Sequence, residues 1–234
     1  MLVYGRNVAK EILEKDKIIN KIFLQKGFED KTILSLIEKK KIGPIFCEKR
    51  KMDDLAGGVH QGIILDIEDF VYCELEDMIQ KEDAFVVILD HIEDPHNLGA
   101  IIRTCEASGV DGIILPKNRS VSVNATVMKT SAGALENVSI ASVVNLKKTI
   151  ERLKKNGFWI VGTDMVNSTD YRKIDYSGKI ALVIGSEGFG MSSLVKKNCD
   201  VLIKIPMKGN ITSINASVSA GIAIYEVVKQ RGEK

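Results

Sequence analysis

Three loops hold the side chains with which this 234-residue chain could do chemistry. The first, Asp90-His91-Ile92-Glu93-Asp94-Pro95-His96, crowds acids and imidazoles directly behind an apolar run. Such a loop could ligate zinc or manganese for hydrolysis. Against that reading, the helical H-E-x-x-H arrangement is missing and Pro95 restricts how the two histidines converge. The second loop, Gly185-Ser186-Glu187-Gly188-Phe189-Gly190, is a glycine turn carrying one acid. Ser186 lacks the G-x-S-x-G spacing of a nucleophile elbow. The turn also comes too late for a G-x-G-x-x-G dinucleotide signature, and no P-loop lysine accompanies it. Gly185 and Gly188 leave backbone exposed that a planar base or an amino-acid moiety can approach closely. The third loop, Lys208-Gly209-Asn210-Ile211-Thr212-Ser213, runs from Pro206 to a helix opening at Asn215. Strand end, exposed backbone and helix N-terminus make up a nucleotide-like pocket in an α/β protein. A capped, tightly packed helix would read the same way.

A fourth candidate is Arg103. In the helix from Asn97, residues Leu98, Ile101, Ile102 and Cys105 follow i, i+3, i+4, i+7 and give a core stripe. Arg103 lies off that stripe among Gly99, Ala100 and Ala107. It is either a solvated surface arginine or one whose guanidinium close packing aims at a fixed point.

The elements that must position these residues alternate strongly from Ala84 onward. Short apolar runs at Ala84–Leu89, Gly112–Leu115, Phe158–Gly162, Ile180–Ile184 and Val201–Ile205 suit central parallel strands. Helices are expected near Leu98–Ser108, Asn124–Leu135, Leu146–Asn156, Met191–Lys197 and Asn215–Gln230. The result is a parallel sheet covered on both faces. The last helix bears Ala216, Ser217, Ser219, Ala220, Gly221 and Ala223, small residues that allow close approach of another helix. Residues 1–67 form a separate unit in the order α-β-α-β-α-β, an α/β sandwich. There Val8, Ile12 and Leu13 make one stripe, Ile33, Leu34, Leu36 and Ile37 a second, and Pro44–Cys47 a buried strand. Acid-rich residues 68–83 read as a linker with a short helix at Glu74–Gln80, and the second domain takes residues 84–234.

Composition narrows the class. Hydrophobic residues make up 45% and charged residues 27%, an ordinary soluble globular balance. The chain has no apolar run long enough for a membrane span and no signal-peptide core, so a cytoplasmic location is expected. Cys47, Cys73, Cys105 and Cys199 are scattered without C-x-x-C spacing, which argues for reduced cysteines, no disulfide framework and no zinc site. With a net charge of only +2, attraction to nucleic acid must come from local patches. Lys39-Lys40-Lys41 and Lys49-Arg50-Lys51 are such patches. They are solvated helix and loop ends, or phosphate contacts on neighbouring loops.

Taken together, Leu89–Thr104, Leu182–Gly190 and the stretch IPMKGNITSINASVSAGIAIYE from Ile205 resemble the three motifs of the SpoU (TrmH-like) RNA 2′-O-ribose methyltransferases, in that family's order. The resemblance implies a C-terminal α/β domain with a deep trefoil knot. It implies S-adenosylmethionine as cofactor, held at Gly185, Ile205 and Ile214 with Met207 close by. Arg103 falls where the family carries the arginine that acts on the ribose hydroxyl. Asn97, Glu187, Ser213 and Asn215 would hold the arginine and ribose, and no metal is needed. Tyr4-Gly5-Arg6-Asn7-Val8 and Val59-His60-Gln61-Gly62 resemble the preceding substrate-binding domain, which implies an L30e-like RNA-binding fold. Arg6, Lys39, Lys40, Lys49 and Lys51 are its RNA-binding candidates. The closest branch by resemblance modifies a guanosine of 23S rRNA, and a homodimer through the C-terminal domain is implied. A tRNA target, or a non-catalytic RNA-binding protein that keeps the pocket, stays open. In the third motif Ile214 and Ala216 stand where many members have leucine and valine, a change within apolar residues.

Overall fold

The computed structural model describes residues 1–232 except Asp16 and Gly57. The chain forms two compact units, Met1–Val71 and Tyr72–Lys234.

The first unit runs β1 (Leu2–Tyr4), α1 (Arg6–Glu14), β2 (Ile19–Gln25), α2 (Lys31–Lys40), β3 (Ile45–Cys47), α3 (Lys49–Leu55) and β4 (Ile63–Ile67). Its sheet has the order β1-β4-β2-β3, with β4 antiparallel to both neighbours and β2 parallel to β3. The stripe Val8, Ile12 and Leu13 is buried as expected, joined by Ala9. On α2 only Ile33 and Ile37 are buried, whereas Leu34 and Leu36 are partly exposed. Strand β3 departs from its expected burial. It lies at the sheet edge, with Ile45 43% and Phe46 57% exposed and only Cys47 inside.

The second unit runs β5 (Phe85–Asp90), α4 (Pro95–Ser108), β6 (Gly112–Pro116), α5 (Ala125–Thr130), β7 (Ile140–Val143), α6 (Leu146–Lys155), β8 (Trp159–Thr163), β9 (Thr169–Asp170), β10 (Ile180–Gly185), α7 (Ser193–Asn198), β11 (Val201–Lys204) and α8 (Ala216–Gly232). All pairings in its seven-stranded sheet are parallel, in the order β7-β6-β5-β10-β8-β11-β9. Strands β5 and β10 have all six residues buried, the pattern of a parallel strand covered on both faces. On one face Val86, Ile88, Ala181 and Val183 pack with Ile150 and Leu153 of α6 and Val195 of α7. On the other, α4 packs against α5 and α8.

Two expectations for this unit change. The helix foreseen over Asn124–Leu135 divides into α5 and a 3-10 turn at Ala134–Glu136, because Ala132 and Gly133 take positive φ, 49° and 87°. Within the stretch read as a linker, the 3-10 turn Leu75–Met78 is built into the second unit, where Leu75, Met78 and Ile79 enter the α6-side core.

Candidate active site

The sheet reverses its strand order around β5 and β10, and the loops at the carboxyl ends of its strands gather there, where open parallel sheets bind ligands. Strand β10 ends at Gly185, and the chain doubles back at once. Ser186 N–H donates to the Gly190 carbonyl (3.0 Å) and Gly190 N–H to the Ser186 carbonyl (2.9 Å). Gly188 and Gly190 hold the turn at φ of 84° and 65°. A Cβ on Gly185 would lie 2.3 Å from the Gly190 carbonyl carbon and 2.4 Å from Met191 N. Gly185 therefore serves the close return of its own loop, an internal reason beside the ligand-facing one expected from sequence.

That loop separates two cavities. One, of about 470 Å³, is bounded by Gly185, Ile205, Met207 and Ile214, with Glu187 and Ser213 at its wall. All four expected cofactor residues thus share one space, of a size ordinary for small-ligand sites (roughly 300–1,000 Å³). The other, of about 440 Å³, is lined by His91, Glu93, Asp94, Asn97 and again Glu187. Phe189 lines both and is 95% exposed.

The residues of the first and third motifs meet although 118 positions separate them. Asn215 Nδ2 donates to Asn97 Oδ1 at 2.9 Å. Asn215 Oδ1 in turn accepts from Ser217 N–H (2.9 Å), Val218 N–H (3.3 Å) and Ser217 Oγ (2.5 Å), and so caps α8. One side chain both starts the last helix and fastens it to the start of α4, where Asn97 is only 8% exposed. Small α8 residues face inward, with Ala216, Ala220 and Ala223 buried and Gly221 beside Thr104 of α4. The close approach they permit is to α4 of the same chain.

The acid and imidazole loop takes a structural form. Asp90, fully buried, contacts His91 Nδ1 through Oδ1, and its Oδ2 accepts Ser192 N–H at 2.7 Å, which ties the end of β5 to the loop after β10. Asp94 caps α4 by accepting His96 N–H at 2.9 Å, with Pro95 in the first turn where its missing donor costs nothing. Among the described residues no group of three or more His, Cys, Asp or Glu side chains converges as a metal would require.

Arg103 is exposed, and it makes no hydrogen bond or ion pair among the described residues. Six residues at about 100° each set it roughly 120° around α4 from Asn97, beside Gly99, which presses on Thr130 and Ser131. Of the two readings left by spacing, the position is the solvated one. Ser213 and Glu187 are exposed as well. Sequence reasoning passed over Thr163, Asp164 and Ser219 at the 470 Å³ cavity. Asp164 pairs with Lys196 at 2.8 Å. The signal that could have found it is position, since it directly follows β8.

In the first unit, Lys39 and Lys40 end α2 while Lys49 and Lys51 begin α3, so the two clusters stand at opposite ends of β3 and not on adjoining loops. Lys40 Nζ donates to the Lys15 carbonyl at 2.6 Å. Arg6 and Lys49 share a third cavity, of about 790 Å³. The four cysteines are free. Burial pushes the Cys199 thiol up to about 12 and raises Cys105 further, which leaves both as poor nucleophiles.

Residues 84–225, more than half of the chain, match the SpoU rRNA Methylase family. The chain belongs to that family. Residues 2–73 match the domain described as RNA 2′-O ribose methyltransferase substrate binding. Across nearly its whole length this SpoU-family chain is similar to a protein of Staphylococcus haemolyticus named for the TrmH family of tRNA/rRNA methyltransferases. The two are 44% identical over 239 residues, covering 99% of this chain and 96% of the relative. Among solved structures, the SpoU methyltransferase AviRb from Streptomyces viridochromogenes, in complex with AdoMet, superposes with a TM-score of 0.82. Identity there is 25%, over 99% of this chain and 90% of that one. The A. aeolicus TrmH/SpoU tRNA modifying enzyme is 32% identical over 68% of this chain and 81% of its own, with a TM-score of 0.59. The parallel α/β fold expected from the motifs is the fold of these methyltransferases.

Proposed function

We propose that this SpoU-family protein transfers a methyl group from S-adenosylmethionine to a ribose 2′-hydroxyl of RNA, its target a guanosine of 23S rRNA. The observation that carries the reading is the convergence of Gly185, Ile205, Met207 and Ile214 on one cavity. The cavity fits the cofactor chemically. The backbone of residues 206–214 makes no hydrogen bond to another described residue, so its amides and carbonyls are available to an adenine edge and an amino-acid tail. Ile205, Met207 and Ile214 supply apolar walls. When bound, the cofactor supplies a methyl group already activated by its sulfonium.

What remains for the chain is alignment and charge. A ribose hydroxyl is a weak nucleophile that must be held in line. Asn97 and Asn215, locked to each other, fix the floor from which Glu187 and Ser213 orient the sugar. Arg103 stabilises the negative charge that develops on the oxygen, and the hydroxyl's proton leaves to a neighbouring RNA phosphate or to water as the methyl–oxygen bond forms and the methyl–sulfur bond breaks. Its exposure and its lack of a partner among the described residues suit a residue whose partner is the substrate. Val218, Ile222 and Tyr225 form an apolar stripe at i, i+4, i+7 on the outer side of α8, with Val218 and Tyr225 about half exposed. That stripe is the homodimer contact of the C-terminal domain. The free thiols fit the reducing cytoplasm. A tRNA target is the second reading, favoured by the 32% identity to the A. aeolicus tRNA modifying enzyme.

The test separates cofactor binding from transfer. Calorimetry with S-adenosylmethionine should give equal affinity for the wild type and Arg103→Ala, because Arg103 is outside the cavity. Single-turnover methylation of ribosomal RNA should fall by about 10²–10³ in Arg103→Ala. Arg103→Lys should rescue poorly, since it keeps the charge and loses the planar fork. Near wild-type turnover in Arg103→Ala would remove Arg103 from the chemistry. Absence of cofactor heat in the wild type would overturn the function.

A further inference from the structure

The cavity in the first unit carries more than a basic surface would. Arg6 is held there on three sides. Its guanidinium carbon lies 5.2 Å from the Phe28 ring centroid, Nε donates to the Gln61 carbonyl at 3.3 Å, and Nη1 pairs with Asp30 at 3.7 Å. Arg6 N–H also donates to Gln61 Oε1 at 2.8 Å, so backbone and side chain of one residue grip the same loop. Gly62 packs closely against Phe28 as well. A Cβ there would come within 2.9 Å of the ring, and the positive φ of 84° excludes most other residues independently. Phe28 thus touches both the Gly62 backbone and the Arg6 guanidinium, and the Arg6 side chain remains half exposed.

The loop beside it is pinned through His60. His60, 6% exposed, accepts Gly62 N–H on Nδ1 (2.9 Å), which leaves Nε2–H to donate to Asp53 (3.0 Å). The backbone N–H groups of Val59, His60 and Gln61 have no acceptor among the described residues. The cavity thus offers a guanidinium platform beside three backbone N–H groups with no acceptor among the described residues, with Lys49 at its wall. Phosphate tracking alone does not explain it, because Asp53 lines the same space and Lys26 is tied to Glu48 at 2.7 Å. A base has what this arrangement recognises, a π-face for the guanidinium and acceptor atoms on its edge.

We propose that this cavity binds one unpaired nucleotide of an RNA strand, its base on the Arg6 guanidinium and its edge on the Val59–Gln61 donors. Lys49 meets the neighbouring phosphate, which ties the nucleotide to a strand and not to a free mononucleotide. The proposal rests on the RNA reading above and deepens it: the first unit selects single-stranded segments.

The full-length protein is titrated into a heptaribonucleotide with 2-aminopurine at its centre, single-stranded and then paired with its complement. Wild type should bind the single strand and change the probe's emission, while the duplex binds at least tenfold more weakly. Arg6→Ala should weaken single-strand binding about tenfold, the size of one lost base stack. Arg6→Lys should lose the emission change while keeping the dependence of affinity on salt. His60→Ala, which frees the donor loop, should give a similar loss, and circular dichroism of each variant checks that the unit stays folded. Equal affinity for duplex and single strand, or an Arg6→Ala affinity equal to wild type, overturns the proposal. So does adenosine monophosphate that competes at the heptamer's own concentration. Methyl transfer to ribosomal RNA is measured on the same samples. Transfer with no single-strand preference refutes the cavity alone, and single-strand binding without any transfer refutes the catalytic reading alone.

Discussion

Gly185 lies at the wall of the 470 Å³ cavity, at the start of the tight turn. Its missing Cβ is filled by the Gly190–Met191 backbone, which cannot rotate aside as a side chain would. Gly185→Ala should therefore displace the Ser186–Gly190 turn, lower stability by about 1–3 kcal/mol and weaken S-adenosylmethionine binding. Thermal denaturation with and without the cofactor reads both effects, and an unchanged midpoint with unchanged affinity would mean that the turn relaxes freely. This position also marks what a sequence can say at the residue scale. The glycine run was legible as a backbone-exposing turn, but the atoms that press on Gly185 come from a hairpin invisible to spacing. Arg103 was legible as an outlier from its helix stripe, and spacing alone could not choose between a packed and a solvated guanidinium. The bond between Asn97 and Asn215 was out of reach, because only the fold brings the two together.

Among the elements, α8 depends on its two ends. Asn215 caps the first turn, and Arg231 anchors the last. Arg231 Nη1 donates to the Asp83 carbonyl (2.7 Å), Nη2 to Gly178 (2.6 Å) and Nε to Tyr176 (3.2 Å), with the guanidinium 5.3 Å from the Phe85 ring centroid. Burial lowers its pKa from the ordinary arginine value, opposed by Asp83 and Asp111. Three charge-assisted bonds join the end of the chain to the segments just before β5 and β10, the two central strands. Arg231→Ala leaves three carbonyls without that donor and should cost about 2 kcal/mol. Arg231→Lys should recover only part, as a point donor cannot reach three carbonyls. Urea midpoints test this, and an Arg231→Ala midpoint equal to wild type would contradict it. The strongly apolar strands at the sheet centre were readable because burial on both faces leaves a continuous run. Strands β1, β7 and β9 were not: they have two to four residues and lie at sheet edges, where one partner holds them and no long run is required. Edge position also explains why apolar Ile45 and Phe46 of β3 mislead as core.

At the scale of the whole molecule, the order of motifs identified the family, and the fold supplied the reason for that order. Loops after β5, β10 and β11 are separated by tens of residues, yet parallel strands bring their carboxyl ends to one side of the sheet. The change in periodicity suggests a division of the chain after residue 67, and the structure clusters into units Met1–Val71 and Tyr72–Lys234, with no separate linker between them. The docking of residues 75–79 into the second unit was not legible, since an acid-rich stretch hides Leu75, Met78 and Ile79. The two units divide the proposed work, strand selection in the first and methyl transfer in the second. The central claim is ribose methylation, and nucleoside analysis tests it most directly. Unmodified ribosomal RNA is incubated with wild-type protein and methyl-deuterated S-adenosylmethionine, digested to nucleosides and weighed by mass spectrometry. The account predicts deuterated methyl on the ribose of one nucleoside, guanosine, and none in the Arg103→Ala sample. Label on a base, or no label from a protein that binds the cofactor and folds normally, would contradict it.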